Sequence, residues 1–208
     1  MARAYLIGGT PRTGKTTLTM RALRERPMLA ASTDAIRYTL RRIIHESDEP
    51  DLFHLGKYTS NEPERRNYLR TNPLDMVAAQ NKESVVVWKS VVNFINSNLE
   101  DGFDVLIEGI AVLPELVAQL QCDYSVIFLG NQSEEHYQTI LHSARSNKHD
   151  WMHDLEDETI EAFAIFNQVF SRYVAEKANE HSMTYIEVRD SNFNEDMNTA
   201  LKMLLREQ

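Results

Sequence analysis

Short apolar runs alternate with longer amphipathic stretches along the chain, and that alternation predicts strands separated by helices. Ala4–Gly9 (AYLIGG) has the pattern of a buried strand running into glycines. From Gly14 to about Arg26 the spacing is helical, and Pro27 stops it. Met28–Thr33 is a second strand, followed by a helix from Asp34 to about His45 with Asp34 near its N-cap. Between Pro73 and Leu99, the residues Val85, Val86, Trp88, Val92 and Ile95 supply a wide apolar helical face. Phe103–Gly109, Tyr124–Gly130 and Thr184–Asp190 are further strands, while Val112–Leu120, Ser133–Ser146, Leu155–His181 and Asn194–Arg206 are helices. The polar stretch Glu46–Asn72, with Pro50, Pro63 and the cluster Arg65, Arg66, Tyr68 and Arg70, shows no readable period.

Strands joined through helices imply βαβ crossovers and a mainly parallel sheet covered on both faces. A chain of 208 residues without internal repeats suits one such domain, spanning 1–208. No apolar run approaches the roughly 20 residues that span a bilayer. Ala4–Ile7 is followed at once by glycines, which makes it a strand and not a secretory signal. A single cysteine, Cys122, excludes an internal disulfide framework and fits a cytoplasmic location. Its neighbours Gln121 and Asp123 offer no activating base. The net charge of −9 argues against a duplex nucleic-acid partner, which needs a basic face. The acidic stretch Asp150–Glu161 reads as a solvated surface.

The strongest chemistry lies in Gly9-Thr10-Pro11-Arg12-Thr13-Gly14-Lys15-Thr16, which meets the G-x-x-x-x-G-K-[ST] pattern at every fixed position. It sits between a strand and a helix, the context that gives this pattern its meaning. Glycines let successive backbone N–H groups turn inward onto phosphate oxygens, and the following helix adds its positive end. The expected ligand is ATP with Mg²⁺: Lys15 on the β- and γ-phosphates, Thr16 on the metal, Thr17 beside it, and Arg12 within reach of phosphate.

Three more clusters carry chemistry: two fall at strand ends, where a parallel sheet holds its ligands, and one lies between two helices. Ser32-Thr33-Asp34-Ala35-Ile36-Arg37 closes the second strand. Asp34 there can take a proton from an attacking hydroxyl, and Arg37, one turn on, can hold an anionic acceptor. Ile107-Glu108-Gly109 places Glu108 as an acid for magnesium or the acceptor. It lacks the Asp-Glu pair of motor ATPases. Arg145, Lys148, His149, Asp150 and Trp151 form a basic lid over about 145–154, with Arg145 as the arginine that neutralises the transferred phosphate and Lys148 as its helper. His149 and His153 have a metal spacing but no third ligand beside them, and Trp151 is expected to pack the lid.

The order GGTPRTGKT, STDAIR, IEGIAVLP and a basic lid resembles the small-molecule P-loop kinases, most of all the 2-phosphoglycerate kinase-type and zeta-toxin-like proteins. The resemblance covers most of the chain and implies an α/β P-loop NTPase three-layer sandwich. Its parallel sheet would have the nucleoside-kinase-like order 2-3-1-4-5, with a helical lid and an acceptor cap. It also implies that Asp34 activates the acceptor and that Arg189, with Asp190 and Asn192 after the last strand, lies near adenine. The chain departs from that family in carrying Thr10-Pro11-Arg12-Thr13 where the phosphoglycerate kinases have small residues. The expectation is an ATP:hydroxyl phosphotransferase acting on a small anionic metabolite, with 46–72 and Arg65 forming the acceptor cap, as a monomer or homodimer without a membrane partner. Its rivals are a kinase of nucleotides or nucleotide sugars, and an ATP-binding switch without catalysis.

Overall fold

The strand Ala4–Gly9 (β1) lies at the centre of the molecule with all six residues buried. The computed structural model describes residues 2–53 and 62–206, and the stretch 54–61 of the expected acceptor cap falls outside them. Leu29–Ser32 (β2), Val105–Glu108 (β3), Tyr124–Gly130 (β4) and Thr184–Glu187 (β5) complete a sheet of order β2-β3-β1-β4-β5. Every pairing is parallel. The helices are Lys15–Glu25 (α1), Thr33–Ile43 (α2), Glu62–Thr71 (α3), Pro73–Glu100 (α4), Pro114–Val117 (α5), His136–Ser146 (α6), Asp157–Glu180 (α7) and Phe193–Leu204 (α8).

Alternation along the strands divides the core into two layers. Leu6, Ile107 and Phe128 face one side, where they meet Trp88, Val91 and Ile95 of α4 and Phe170 and Val174 of α7. Tyr5, Ile7, Leu106 and Ile127 face the other, against Leu18 of α1 and Met197 and Leu204 of α8. Each fully buried aliphatic side chain contributes about 1.5–3 kcal/mol by leaving water. No helix among the described residues is long and apolar enough to cross a membrane.

Two local expectations change. The second helix begins one residue earlier than read, and Ser32 is its cap: the Ser32 hydroxyl accepts the Ala35 N–H at 3.0 Å. Asp34 therefore has no capping role and is free for other work. The unreadable stretch contains α3, which lies on α7 with only Leu69 fully buried. Arg66 and Arg70 of α3 pair with Glu156 and Glu161 at the start of α7. The acidic stretch is thus in part a docking face for α3, because opposite charges line the two helices where they meet.

Candidate functional site

The carboxyl edge of the sheet brings the loop from Gly9 to Thr16 beside the ends of β2 and β3. Gly14 starts α1 in the left-handed region, at φ 89°. A Cβ there would stand 2.8 Å from the Phe193 ring, so only glycine lets α8 pack against the loop. The loop is tied down from behind. The Thr10 N–H donates to Leu129 O at 3.1 Å, and the Thr13 hydroxyl donates to Thr10 O at 2.8 Å. The Thr10 and Ser171 hydroxyls share a hydrogen bond of 3.0 Å, and Ser171 Oγ also accepts the Asn131 N–H at 3.0 Å.

Lys15 Nζ spans the loop to donate to Thr10 O at 2.6 Å. Burial lowers its pKa to about 8, against the pull of Glu108 and Asp34. Thr16 and Thr17 stand exposed in the first turn of α1, which has no side-chain cap. Uncapped N–H groups at a helix start form a ready anion site.

Glu108 closes β3 in register with Ile7 on one side and Ser32 on the other. It therefore stands between the phosphate loop and the start of α2. Gly109 follows at φ 142°, where a Cβ would meet the Thr33 side chain, with 3.0 Å to Thr33 Cβ. This glycine lets α2 close onto β3 and brings Asp34 up to Glu108. Burial pushes the Glu108 carboxyl above its ordinary range; Lys15 pulls it back and Asp34 adds to the rise. Lys15, Glu108 and Asp34 thus form one electrostatically coupled group.

Arg37 is not an open grip for an anion. Its Nη1 donates to Glu83 Oε1 at 3.1 Å, and its Nη2 lies 3.0 Å from Asp34 Oδ1. Arg41 Nη2 donates to the other oxygen of Glu83 at 2.6 Å, while its Nε donates to Leu52 O at 2.9 Å. Glu83 is wholly buried; burial raises its pKa, and the two guanidiniums draw it back. The sequence reading missed Glu83 and Arg41. The signal was present, since Met76, Gln80, Glu83, Val87 and Val91 form one helical stripe that buries an acid.

The lid segment is also arranged differently from expectation. Arg145 donates to the carbonyls of Met152, His153 and Leu155 and pairs with Asp157, so its guanidinium holds the lid together and is not available to a phosphate. Asp150, expected on a solvated face, is bound by both terminal nitrogens of Arg12 at 2.6 Å each. That bidentate pair holds the Asp150 carboxyl below the usual range. Lys148 and His149 are exposed; Trp151 is largely exposed but rests edge-on against Phe163 at 5.0 Å, so it does pack the lid. The described residues contain no cluster of three or more His, Cys, Asp or Glu that could hold a metal, the His149–His153 pair included.

Arg65 has a buried Nε without a hydrogen-bond partner among the described residues. Arg189 is turned onto Asp196 of α8 at 2.5 Å, and Asp190 receives His136 Nδ1 at 3.0 Å, so both belong to the joints around the last strand.

No protein-family profile and no curated protein matches the chain. Solved structures do. A shikimate kinase from Bacteroides thetaiotaomicron superposes with a TM-score of 0.54 at 14% identity, over 98% of each chain. A sugar kinase from Janibacter sp. gives 0.52 at 14% identity, over 98% of this chain and 95% of that one. With the sheet order and the loop, this decides the architecture. The chain has the P-loop NTPase fold. Within that fold, the loop, Glu108 and Asp34 occupy the carboxyl edge of three adjacent strands, β1, β3 and β2.

Proposed function

We propose that the protein is a kinase that moves the γ-phosphoryl group of Mg-ATP to a hydroxyl of a small, anionic metabolite. One observation carries the reading: Glu108 lies in register between Ile7, on the strand that leads into the loop of Lys15, and Ser32, the cap of the helix that carries Asp34. A phosphate-binding cation thereby faces an acid that has no capping duty.

In this reading the triphosphate lies on residues 9–16, with Lys15 along its β- and γ-phosphates and Thr17 beside the loop end. The acceptor oxygen attacks the γ-phosphorus, and its proton passes to Asp34. The bond from phosphorus to the bridging oxygen breaks, and ADP leaves with that electron pair. The residues present suit magnesium: the Thr16 hydroxyl is exposed, and Glu108 stands next to the loop as an oxygen donor. The metal would supply charge neutralisation between the phosphates. Arg37 orients Asp34 through their ion pair. The finer resemblance to 2-phosphoglycerate kinase-type and zeta-toxin-like proteins fits this chemistry. The partner is then a small-molecule acceptor in the cytoplasm, bound by a monomer or homodimer.

The test is a screen of hydroxyl-bearing phosphorylated metabolites, nucleosides and sugars for acceptor-stimulated ADP release, repeated with Asp34→Asn. Transfer should vanish in that variant while Mg-ATP still binds. Undiminished transfer by Asp34→Asn would remove Asp34 from the chemistry. ATP binding without any acceptor-dependent turnover would favour a switch.

A further inference from the structure

A phosphotransferase needs a positive group on the transferred phosphoryl, and the arginine of the lid is not free to supply it. Both terminal nitrogens of Arg145 are taken by Met152 O, His153 O, Leu155 O and Asp157. Releasing it would dismantle the lid it holds.

We propose that Arg12 of the phosphate loop is the arginine that neutralises the transferred phosphoryl group, and that Asp150 of the lid is its positioning residue. The inference rests on the kinase reading above. Four features converge. Arg12 lies inside the loop that cradles phosphate, three residues before Lys15. Its backbone is at φ 67°, a left-handed conformation that a side-chain-bearing residue adopts only when its surroundings hold it there.

The third feature is the pairing, which is end-on: Nη1 to Oδ2 and Nη2 to Oδ1, both at 2.6 Å. A guanidinium has five N–H donors, and this arrangement uses two. The outer N–H of each terminal nitrogen and the Nε edge are left for a phosphate. The fourth is the mount for the carboxylate. The Asp150 side chain is only 5% exposed, and its Oδ1 also accepts the Met152 N–H at 2.9 Å. Met152 is itself buried with Ile140, Ala144 and Ile160. The usual division of labour is thus inverted: the lid presents an acid that aims an arginine belonging to the loop. In the transition state the bridging oxygen takes the electron pair of the breaking bond, and the transferred group spreads its charge over three equatorial oxygens that this arginine can neutralise.

The experiment compares wild type with Arg12→Met, Arg12→Gly, Asp150→Asn, Asp150→Glu and Lys148→Met. It measures Mg-ADP binding by calorimetry, single-turnover hydrolysis of Mg-ATP without acceptor, and thermal stability. Arg12→Gly suits the left-handed backbone and so keeps a folded variant in the series. Loss of the arginine should slow the chemical step about a thousandfold. The dissociation constant for Mg-ADP, which lacks the transferred group, should change by less than about threefold if only transition-state contacts are lost. Asp150→Asn should slow hydrolysis while leaving Mg-ADP affinity intact, with partial recovery in Asp150→Glu. Wild-type hydrolysis in a folded Arg12→Gly or Arg12→Met would overturn the proposal, as would a large loss in Lys148→Met alone. If wild type binds no Mg-nucleotide, the kinase reading falls and this inference with it; nucleotide binding with Arg12 dispensable overturns the inference alone.

Discussion

Arg37 donates Nη1–H to Glu83 Oε1 at 3.1 Å, which joins the helix that carries Asp34 to a wholly buried acid on α4. Arg41 takes the other oxygen, so one carboxylate balances two half-buried guanidiniums. Removing it strands the charge of Arg41 and leaves Arg37 with Asp34 as its remaining carboxylate. Glu83→Ala should lose about 3–5 kcal/mol of folding stability, the scale for breaking a buried ion pair from one side. Glu83→Gln keeps the volume and one acceptor oxygen and should lose less. Urea denaturation checks both, and an unchanged midpoint in Glu83→Ala would show that the network is solvated.

Ser171 makes a second tie, between the phosphate loop and α7. Its hydroxyl is fully buried and meets both Thr10 Oγ1 and the Asn131 N–H at 3.0 Å. Ser171→Ala leaves two buried groups without that partner, which should cost about 1–3 kcal/mol. Because Thr10 O also receives Lys15 Nζ, the loosened loop should bind Mg-ADP more weakly as well. Calorimetry on the folded variant reads this, and full affinity would show that the loop is held without Ser171.

The sheet was readable because each strand carries its own apolar run, and the phosphate loop because its pattern is short, local and nearly invariant in spacing. Failures came where tertiary contacts decide. Ser32, Thr33 and Asp34 are all good capping types, and only the pairing of Ser32 with Glu108 in the sheet selects Ser32. The helix Glu62–Thr71 buries little besides Leu69 and is held by ion pairs to α7, so it has no apolar period to detect. Arg145 illustrates a different limit. A basic residue in a lid is legible in sequence, but the carbonyls that consume its donors are not.

Gly109 should be intolerant of a side chain. Its φ of 142° disfavours L-residues, and a Cβ would press on Thr33, the first residue of α2. Gly109→Ala should therefore lose at least about 2 kcal/mol from backbone strain and crowding together. It should also reduce turnover, because α2 is pushed from β3 and carries Asp34 with it. Adding Thr33→Ala removes the closest contact, to Thr33 Oγ1, but leaves Cβ at 3.0 Å and the strained φ, so the double variant should recover only part of the loss. Full recovery would show that the contact with the Thr33 hydroxyl alone requires glycine there.

Lys15 makes nucleotide binding pH-dependent in a defined direction. Burial lowers its pKa to about 8 in the free protein, with Glu108 and Asp34 holding it from falling further. Phosphates arriving at the ammonium raise that pKa in the complex. Below about pH 8 the lysine is protonated in both states, so affinity should not depend on its titration. Above that pH the free protein has lost the proton and the complex must take it back. Affinity for Mg-ADP should then fall by up to about tenfold per pH unit. Calorimetry in two buffers of different ionisation enthalpy measures the proton directly. Uptake should be near zero at about pH 7 and approach one proton at about pH 9, and Lys15→Met should abolish it. No uptake in wild type at the higher pH would mean that Lys15 stays charged in the free loop, its burial offset by the two carboxylates facing it.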